Sequence, residues 1–390
     1  MARLSALGRY PFFSSTFTKE EVTFDNNKNI SSVMKDIKIT VEDVREKLNG
    51  LNIGKSPGPD GVHPRMLKEL ASELCRPLEI IFSQSIIERK LPDDWKKADI
   101  TALHKKGDKQ NPENYRPISL TSICSKILER IIRDKMEVYL ISNDLLSCKQ
   151  FGFMKGRSTI LQLLKVLDDW TEAVDARLPV DVIYTDFQKA FDSVPHGGLL
   201  QKLTSIGIKG KLHAWIQSFL LNRKQRVKIK GCTSEWMDVL SGVPQGSVLG
   251  PLLFIIYIND IVDTLGCHCF LYADDMKLYK IIQSSNDCTA LQTDLDRVVE
   301  WSSNWKIKLN IAKCKVIRLN GNENMVMPMY SIRENGHAKA LQKTDSEKDL
   351  GIKIDSHLNF DDHIAETVNK ANRILGLIRR NFKDLNNSSF

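Results

Sequence analysis

The stretch FLYADDMKLY, residues 270–279, places two adjacent aspartates, Asp274 and Asp275, between two apolar runs. These runs fit the two strands of a β-hairpin whose tight turn holds Ala273 and both acids. Two carboxylates about 4 Å apart repel each other by about 4 kcal/mol at an effective dielectric constant near 20. We therefore expect a cation between them, although an isolated Asp-Asp pair is also typical of a solvated acidic turn.

A third acid follows another apolar strand, in DVIYTDFQKAFDSVPH at residues 181–196. Asp186 comes directly after this strand, and a carboxylate at the end of a short strand can face Asp274 and Asp275 across a sheet. Three carboxylates from two strands form an all-oxygen site that suits Mg²⁺. Two such ions about 4 Å apart stabilise both the attacking and the leaving oxygen of a phosphoryl transfer. The pattern therefore indicates phosphoryl transfer chemistry.

The composition describes a globular protein of 390 residues that is 42% hydrophobic and 27% charged, large enough for two or three subdomains. Its net charge of +8 favours a polyanionic partner. Residues 202–230 carry eight Lys or Arg and no acid. Arg226, Lys228 and Lys230 alternate with apolar residues, so a strand would turn a cationic row outward. Contact with a nucleic-acid backbone is favoured over a solvated edge strand guarded by lysine.

Several other motifs exclude functions. Gly54-Lys55-Ser56 is not a phosphate-binding loop, because Asn49 stands where such a loop needs glycine and Pro57 forbids a helix. Cys267 and Cys269 are expected to be buried thiols, with zinc as the alternative. None of the eight cysteines forms a C-x-x-C pair, which is typical of a reducing compartment. The longest apolar run, LGPLLFIIYI, is too short to span a membrane.

Hydrophobic periodicity predicts a helix that begins at the N-cap Thr40, with Asp43 completing a capping box, and ends at Gly50. Further helices are expected at residues 64–90, 122–142, 196–221, 248–264 and 288–304. Strands are expected at DVIYTDF, RVKIKG, FLYADD, MKLYKI and CKVIRL, and a strand followed by a long basic loop at residues 95–120.

Six motifs in order, NYRPISLTS, QFGFMKGRST, YTDFQKAFDSVPH, SGVPQGSVLGPLLF, FLYADD and NIAKCK, resemble the reverse transcriptases of non-LTR retrotransposons of the LINE type. The likeness is strongest to the jockey-like group and covers residues 40–360. It implies an α+β, right-hand polymerase with helical fingers, an antiparallel-sheet palm and a partial thumb. The implied domains are an N-terminal linker at 1–39, fingers at 40–180, a palm at 181–335, and the palm end with a partial thumb at 336–390.

The same resemblance implies roles for individual residues. Asp186 and Asp274 match the metal ligands, Asp275 matches the neighbouring, lesser acid, and Lys313 in NIAKCK matches a lysine that acts as general acid for pyrophosphate. Leu350 and Gly351 resemble the segment that holds the primer end. Phe191 matches the aromatic residue below the incoming sugar, with a core aromatic as the alternative. The implied substrate-binding residues are Lys105, Arg116, Phe187, Phe191, Gln245 and Gly246.

The implied activity is RNA-directed DNA polymerisation, in which dNTPs are added to a primer 3′-hydroxyl on an RNA template with two Mg²⁺ ions, or Mn²⁺ in their place. A non-catalytic RNA-binding relic of a retroelement is the alternative, and a nucleotidyl cyclase has no use for the motifs around Arg116 and Gln245. The expected partners are template RNA, DNA primer and dNTPs, without a membrane, and an intracellular location in nucleus or cytoplasm as a ribonucleoprotein. The endonuclease and Cys/His knuckle of full elements are not found in this sequence, so target-site cleavage is not expected of it.

Overall fold

The computed structural model describes residues 32–105, 107–229, 231–321, 328–334 and 336–382. Its α-helices are α1 Val41–Asn49, α2 Pro64–Glu69, α3 Ala71–Ile87, α4 Ile123–Ser142, α5 Thr159–Asp175, α6 Ala190–Ser193, α7 His196–Ser205, α8 Gly210–Leu220, α9 Gly250–Ile258, α10 Ser285–Asn304 and α11 Asp361–Asn381. Its strands are β1 Lys97–His104, β2 Tyr115–Leu120, β3 Val180–Thr185, β4 Arg223–Ile229, β5 Cys232–Thr233, β6 Met237–Val239, β7 His268–Tyr272, β8 Asp275–Ile281, β9 Lys315–Leu319, β10 Ser331–Glu334, β11 His337–Ala340, β12 Gln342–Lys343, β13 Ser346–Asp349 and β14 Ile352–Asp355. The expected α+β class is confirmed.

The chain divides into two compact units. Unit 1 comprises Met1–Lys155, Phe187–Thr264 and Glu300–Leu309, and unit 2 comprises Gly156–Asp186, Leu265–Val299 and Asn310–Phe390. The bounds expected for fingers, palm and thumb stay predictions. The linker expected at 1–39 lies outside the described residues up to residue 31.

Unit 1 combines most of the helices with a small sheet of strand order β2-β1-β4-β5, in which β6 also pairs with β4. β1 and β2 form an antiparallel hairpin, and β1 runs parallel to β4. The long basic loop expected after β1 is therefore the connection of a hairpin. α1 begins with the predicted capping box, because Thr40 and Asp43 exchange side-chain-to-backbone hydrogen bonds.

Two of the helices expected in unit 1 are interrupted. The segment 64–90 divides at Leu70 into α2 and α3. The segment 196–221 divides into α7 and α8 around Gly207, whose φ is 84°. A Cβ atom at Gly207 would lie 2.2 Å from the Ser32 carbonyl oxygen and 2.4 Å from the Tyr139 hydroxyl oxygen. Glycine is required here by both the backbone conformation and the close approach, and a periodicity argument cannot detect either.

Unit 2 is built on a sheet of strand order β12-β9-β3-β8-β7. β3 is an inner strand with antiparallel neighbours β8 and β9, and its residues Val180, Val182 and Ile183 are fully buried. β7 and β8 form the hairpin predicted from the sequence, with Tyr272 paired to Asp275. The structure thus places the predicted acidic turn at the end of a strand that pairs with β3.

α9 contains the longest apolar run of the sequence except its first residue, Leu249, and eight of the nine helical residues are buried. None of the described helices is both long enough and apolar enough to cross a membrane.

Candidate active site

The three carboxylates lie where β3 ends and β8 begins. This edge of the unit 2 sheet is formed by the ends of its strands and not by an outermost strand. Thr185, the last residue of β3, pairs with Met276 near the start of β8. Asp186 is the next residue after β3 and Asp275 is the residue before Met276, so the antiparallel register brings both to the same edge. Asp186 is also fixed through its backbone, since its carbonyl accepts a hydrogen bond from the Asn310 amide at 2.7 Å. The register of β3 and β8 therefore places Asp186 next to the acidic hairpin, as the sequence predicted.

The turn that carries the acids has an unusual backbone. Ala273 and Asp274 form its two central residues, and Ala273 has a φ of 57°. A positive φ is uncommon for a residue with a Cβ atom and is often found at functional sites. Asp274 therefore lies in the turn, outside the paired residues of the ladder and directly before Asp275.

The three carboxylates influence one another electrostatically. Partial desolvation, followed by the charges of Asp274 and Asp186, raises the pKa of Asp275 to about 6. Like charges in one site raise a carboxyl pKa because ionising the second group costs additional repulsion energy. A cation at this edge would remove that cost.

Lys313 is a cation that lies beside Asp186 at this edge. Its Nζ lies 3.2 Å from Asp186 Oδ2, and its side chain remains 65% exposed. Among the described residues, no group of three or more His, Cys, Asp and Glu side chains has the arrangement of a finished metal site. The donor set still fits Mg²⁺, because it consists of carboxylate oxygens and already attracts a positive charge at Asp186.

A second hairpin of unit 2, formed by β13 and β14, has Leu350 and Gly351 in its turn, both with positive φ, at 47° and 102°. Lys277 on β8 forms a buried ion pair with Asp349, the residue before this turn. Lys315 on β9 pairs with Glu347 at 2.7 Å.

These two lysines flank one residue of β3 in the sheet register. Tyr184 is paired with Lys277 on one side and with Lys315 on the other, so all three side chains share one face. Sequence reasoning missed this docking of the β13–β14 hairpin. Its signal in the sequence is weak, because a lysine on β8 and on β9 and two acids on β13 are charges that many solvated strands also carry.

Phe191 lies in unit 1 among other aromatic rings. Its ring is stacked on Phe254, with centroids 4.3 Å apart and planes at 16°, and meets the edge of Phe153 at 6.0 Å. Phe191 itself is half-buried. The stack fixes the plane of the ring and leaves part of it accessible, as expected for a ring that contacts a ligand.

Gln245 is held by two hydrogen bonds in unit 1. Its side-chain Nε2 donates to Asp192 Oδ1 at 2.9 Å, and its carbonyl accepts from the Ser119 amide on β2 at 2.7 Å. The following residue, Gly246, has a φ of 114°, and a Cβ atom there would lie 2.5 Å from the Ser119 carbonyl oxygen. The loop therefore depends on glycine to approach β2.

Asp192 was not identified from the sequence. Burial raises its pKa to about 6, while the hydrogen bond from Gln245 and the positive charges of Lys189 and Lys105 lower it. The predicted residues Gln245 and Lys105 thus share an electrostatic environment through this carboxylate. Arg116 lies on the same hairpin as Lys105, opposite Leu103 of β1.

Phe187 lies in a different environment. It is 4% exposed, its ring meets the edge of Trp301 at a centroid distance of 6.4 Å, and its backbone forms an isolated bridge with Leu309. The structure therefore places the Phe187 side chain in the core of unit 1, and only its backbone remains a candidate for substrate contact.

The basic strand is more engaged than the sequence indicated. Val227 is buried and Arg226 points away from it, as predicted, but Arg226 Nε donates to Asp99 Oδ1 at 2.7 Å, and Lys228 Nζ lies 3.7 Å from Asp99 Oδ2. Lys230 lies outside the described residues. β4 has β1 on one side and β5 and β6 on the other, so the alternative of an edge strand is wrong.

Other predicted features can be placed directly. Cys267 and Cys269 are buried, which confirms the expectation of buried thiols. Lys202 and Arg223, counted among the eight cations of 202–230, are each 3% exposed and belong to the core. Lys202 pairs with Asp260 at 2.6 Å.

Comparison with known proteins identifies a family model. The model described as "Reverse transcriptase (RNA-dependent DNA polymerase)" matches residues 103–354. The RNA-directed DNA polymerase from mobile element jockey of Drosophila melanogaster is 32% identical over 346 residues, which are 84% of this chain and 36% of that protein. The probable RNA-directed DNA polymerase from transposon BS of the same organism is 30% identical over 353 residues, which are 85% of this chain and 37% of that protein. The chain thus spans little more than a third of the length of these relatives.

A solved structure of apo telomerase from Candida tropicalis, truncated from its C-terminal domain, is similar to the chain with a TM-score of 0.47 and 13% identity. The similarity covers 70% of this chain and 55% of the telomerase.

Proposed function

Because this chain belongs to the reverse transcriptase (RNA-dependent DNA polymerase) family, as its ordered motifs predicted, we propose that it is the RNA-directed DNA polymerase of a LINE-type, jockey-like retrotransposon. In the proposed reaction the 3′-hydroxyl of a primer attacks the α-phosphate of a dNTP that is paired with an RNA template, and pyrophosphate leaves. The proposed location is inside the cell, as a complex with the template RNA.

The observation that carries this proposal is the grouping of Asp186, Asp274 and Asp275 at one sheet edge, where the pKa of Asp275 is raised to about 6 by partial desolvation and by the other two charges. Asp186 and Asp274 would hold two Mg²⁺ ions, with Asp275 as a lesser ligand. Bound there, the ions would activate the primer hydroxyl and neutralise charge on the triphosphate.

The other residues of the chain bind and orient the substrates in this proposal. Arg116 and Lys105, on the β1–β2 hairpin of unit 1, would contact the triphosphate, since guanidinium and ammonium groups donate well to phosphate oxygens. Gln245, held by Asp192, would contact the nucleotide and the template. Phe191 would lie against the sugar. Lys313 would give a proton to the departing pyrophosphate, as general acids do when a leaving group develops negative charge.

The test is primer extension on an RNA template with Mg²⁺ and labelled dNTP. Asp274→Asn keeps the shape of the side chain and removes its charge, so we expect the extension rate to fall by at least about a hundredfold, the loss typical of a main electrostatic stabiliser. Primer–template binding should persist. Asp296→Asn, at an exposed position on α10, is the matched control and should extend at the parental rate.

Two results would contradict the proposal. An Asp274→Asn variant that extends within a few-fold of the parent would show that this carboxylate is not a metal ligand. A parent protein that binds primer–template and does not extend it would favour the non-catalytic RNA-binding alternative.

A further inference from the structure

A cationic surface that the sequence did not indicate lies on α4 in unit 1. Lys126, Arg130 and Arg133 are separated by four and three residues, so they lie on one face of the helix. The sequence does not indicate this face, because Glu129, Asp134 and Glu137 lie between and after these cations and reduce the net charge of the segment.

One of these acids is engaged outside this face, and a second is shared between Arg133 and Lys47. Glu129 is 1% exposed, and its Oε2 accepts hydrogen bonds from the backbone amides of Val248 at 2.7 Å and Leu249 at 3.1 Å. Asp134 lies 2.8 Å from Lys47 Nζ and 2.9 Å from an Arg133 nitrogen. Glu129 is therefore not available to neutralise Arg130, while Arg133 is partly neutralised by Asp134.

A cavity of about 230 Å³ opens beside these cations. Arg130, Arg133, Phe153, Ser247 and Pro251 are among the residues that line it. Its volume is below the roughly 300–1,000 Å³ of pockets that enclose whole small ligands. The cavity therefore suits one unit of a larger molecule better than an independent cofactor.

Charge in and around the cavity is predominantly positive. Glu137 is the one acid among the described residues that line it, and it lies 3.4 Å from Arg133 Nε, whose side chain is still 37% exposed. Burial lowers the pKa of Lys126, and the nearby charges of Arg130 and Lys55 lower it further, while Glu129 raises it. Cations that crowd one another in this way are favourable neighbours for phosphate.

Phe153 gives the cavity a wall suited to a base. Its side chain is 55% exposed, and its backbone has a φ of 55°, a strained conformation for a residue with a Cβ atom. One edge of the ring meets Phe191, which orients it. An exposed, oriented aromatic ring beside arginines is the combination by which proteins bind single-stranded nucleic acid without reading its sequence.

We propose that this surface binds the single-stranded part of the RNA template that has not yet been copied. One base stacks on Phe153, and the adjoining phosphates contact Arg130 and Arg133. Ser247 of the cavity is only two residues after Gln245, so the surface adjoins the loop to which nucleotide contact is assigned. The inference rests on the proposed function, because it requires an RNA template.

Fluorescence anisotropy of labelled primer–template tests the proposal. One substrate carries a template 5′ extension of about eight nucleotides, within the usual range for one single-strand site, and the other has the same duplex and no extension. We expect the parent to bind the extended substrate more tightly. In Phe153→Leu this advantage should shrink by about 5- to 150-fold, the loss typical of one stacked base, with little change for the flush duplex.

The cations are tested in a salt series. Arg130→Gln together with Arg133→Gln should flatten the slope of log affinity against log salt for the extended substrate by about 0.7 to 1.4, since each single-strand phosphate contact contributes about 0.7 and Arg133 is partly neutralised by Asp134 and Glu137. Arg65→Gln together with Arg89→Gln removes the same charge from two exposed positions outside the cavity and should leave the advantage of the extension intact.

Three results would overturn the proposal. The parent could bind both substrates equally, which would show that the protein does not contact the template extension. Arg130→Gln with Arg133→Gln could lose as much affinity for the flush duplex as for the extended substrate. Alternatively, Arg65→Gln with Arg89→Gln could lose as much affinity for the extended substrate as the variant of the two cavity arginines. Failure to extend the primer would contradict the proposed function alone, because binding of the extension is measured without catalysis.

A second measurement uses the parent protein and therefore does not depend on how the variants fold. A 4-thiouridine in the template extension is photocrosslinked to the protein, and the site is mapped by mass spectrometry. We expect crosslinks at Phe153 or on α4 between Lys126 and Arg133. Crosslinks confined to other segments would refute the assignment.

Discussion

The buried ion pair between Lys277 and Asp349 is expected to hold the β13–β14 hairpin against β8, the strand that begins at Asp275. The two residues are 3% and 5% exposed. Removing one member of such a pair leaves the other charge buried without compensation, which costs about 3–5 kcal/mol. We therefore expect Lys277→Met and Asp349→Leu each to lower the free energy of unfolding of unit 2 by about this amount.

The double variant Lys277→Met with Asp349→Leu removes both charges and retains side chains of similar volume. Replacement of a whole buried pair by apolar residues is often neutral or stabilising, so we expect a stability within about 1 kcal/mol of the parent. The coupling energy of the cycle would then be several kcal/mol, far above the values of residues that do not touch.

Hydrogen exchange of the β8 and β13 amides measures the local stability, because unfolding of a chain with two units is not safely treated as two-state. The exposed pair of Lys353 and Asp362, 2.7 Å apart with side chains 28% and 60% exposed, provides a control whose removal should change the exchange little, because solvent screens an exposed ion pair. If the single variants at Lys277 and Asp349 lose no more than the control pair, the pair does not hold the hairpin.

Three further changes probe unit 1. Phe191→Val should raise incorporation of rNTP relative to dNTP by about ten- to a hundredfold, because a ring against C2′ of the incoming sugar excludes a hydroxyl group. If the ratio of kcat/KM for rNTP to kcat/KM for dNTP is unchanged in a folded variant, Phe191 does not contact the sugar and is a core residue. Gly246→Ala should destabilise the loop more than Gly231→Ala in thermal unfolding, since both have positive φ but only Gly246 faces a close atom, the Ser119 carbonyl oxygen; equal losses would argue against the contact. Burial raises the pKa of Asp192 from 3.8 to about 6, so the folded state retains a proton that the unfolded chain releases, and stability should fall as pH rises through this window. Asp192→Asn should remove the contribution of this carboxyl, which amounts to at most about 3 kcal/mol and to less where solvent reaches the half-buried carboxylate. Because the pKa of Asp275 is also raised to about 6, the contribution is measured as the difference between parent and variant in the change of thermal unfolding from pH 4 to pH 7.

Local sequence patterns predicted the acidic hairpin because its determinants are local. Apolar runs specify β7 and β8, and the turn residues lie between them. Helix α5 also has a local signal, since Leu163, Val166, Trp170 and Ala173 are buried at helical spacing. We did not predict it, although the periodicity is present in the sequence. The break at Gly207, in contrast, depends on the Ser32 carbonyl, which is distant in sequence.

The charged contacts could not be predicted in the same way, because each joins residues far apart in the chain. Asp99 lies 127 residues before Arg226, and only the parallel pairing of β1 with β4 brings them together. Lys277 and Asp349 are 72 residues apart. Counting charges within a window therefore identified residues 202–230 as the cationic surface, although two of its cations are buried and two contact Asp99.

A cation contributes to nucleic-acid affinity only to the extent that its charge is not already neutralised within the fold, because phosphate must replace the existing partner. Arg226 would have to leave Asp99, which is 4% exposed, and this carboxylate would then remain buried without compensation. Arg130 lies instead beside an open cavity, and the nearest acid in the sequence, Glu129, is engaged by backbone amides. Replacing Arg226 should therefore reduce folding stability more than template affinity, and replacing Arg130 should do the reverse.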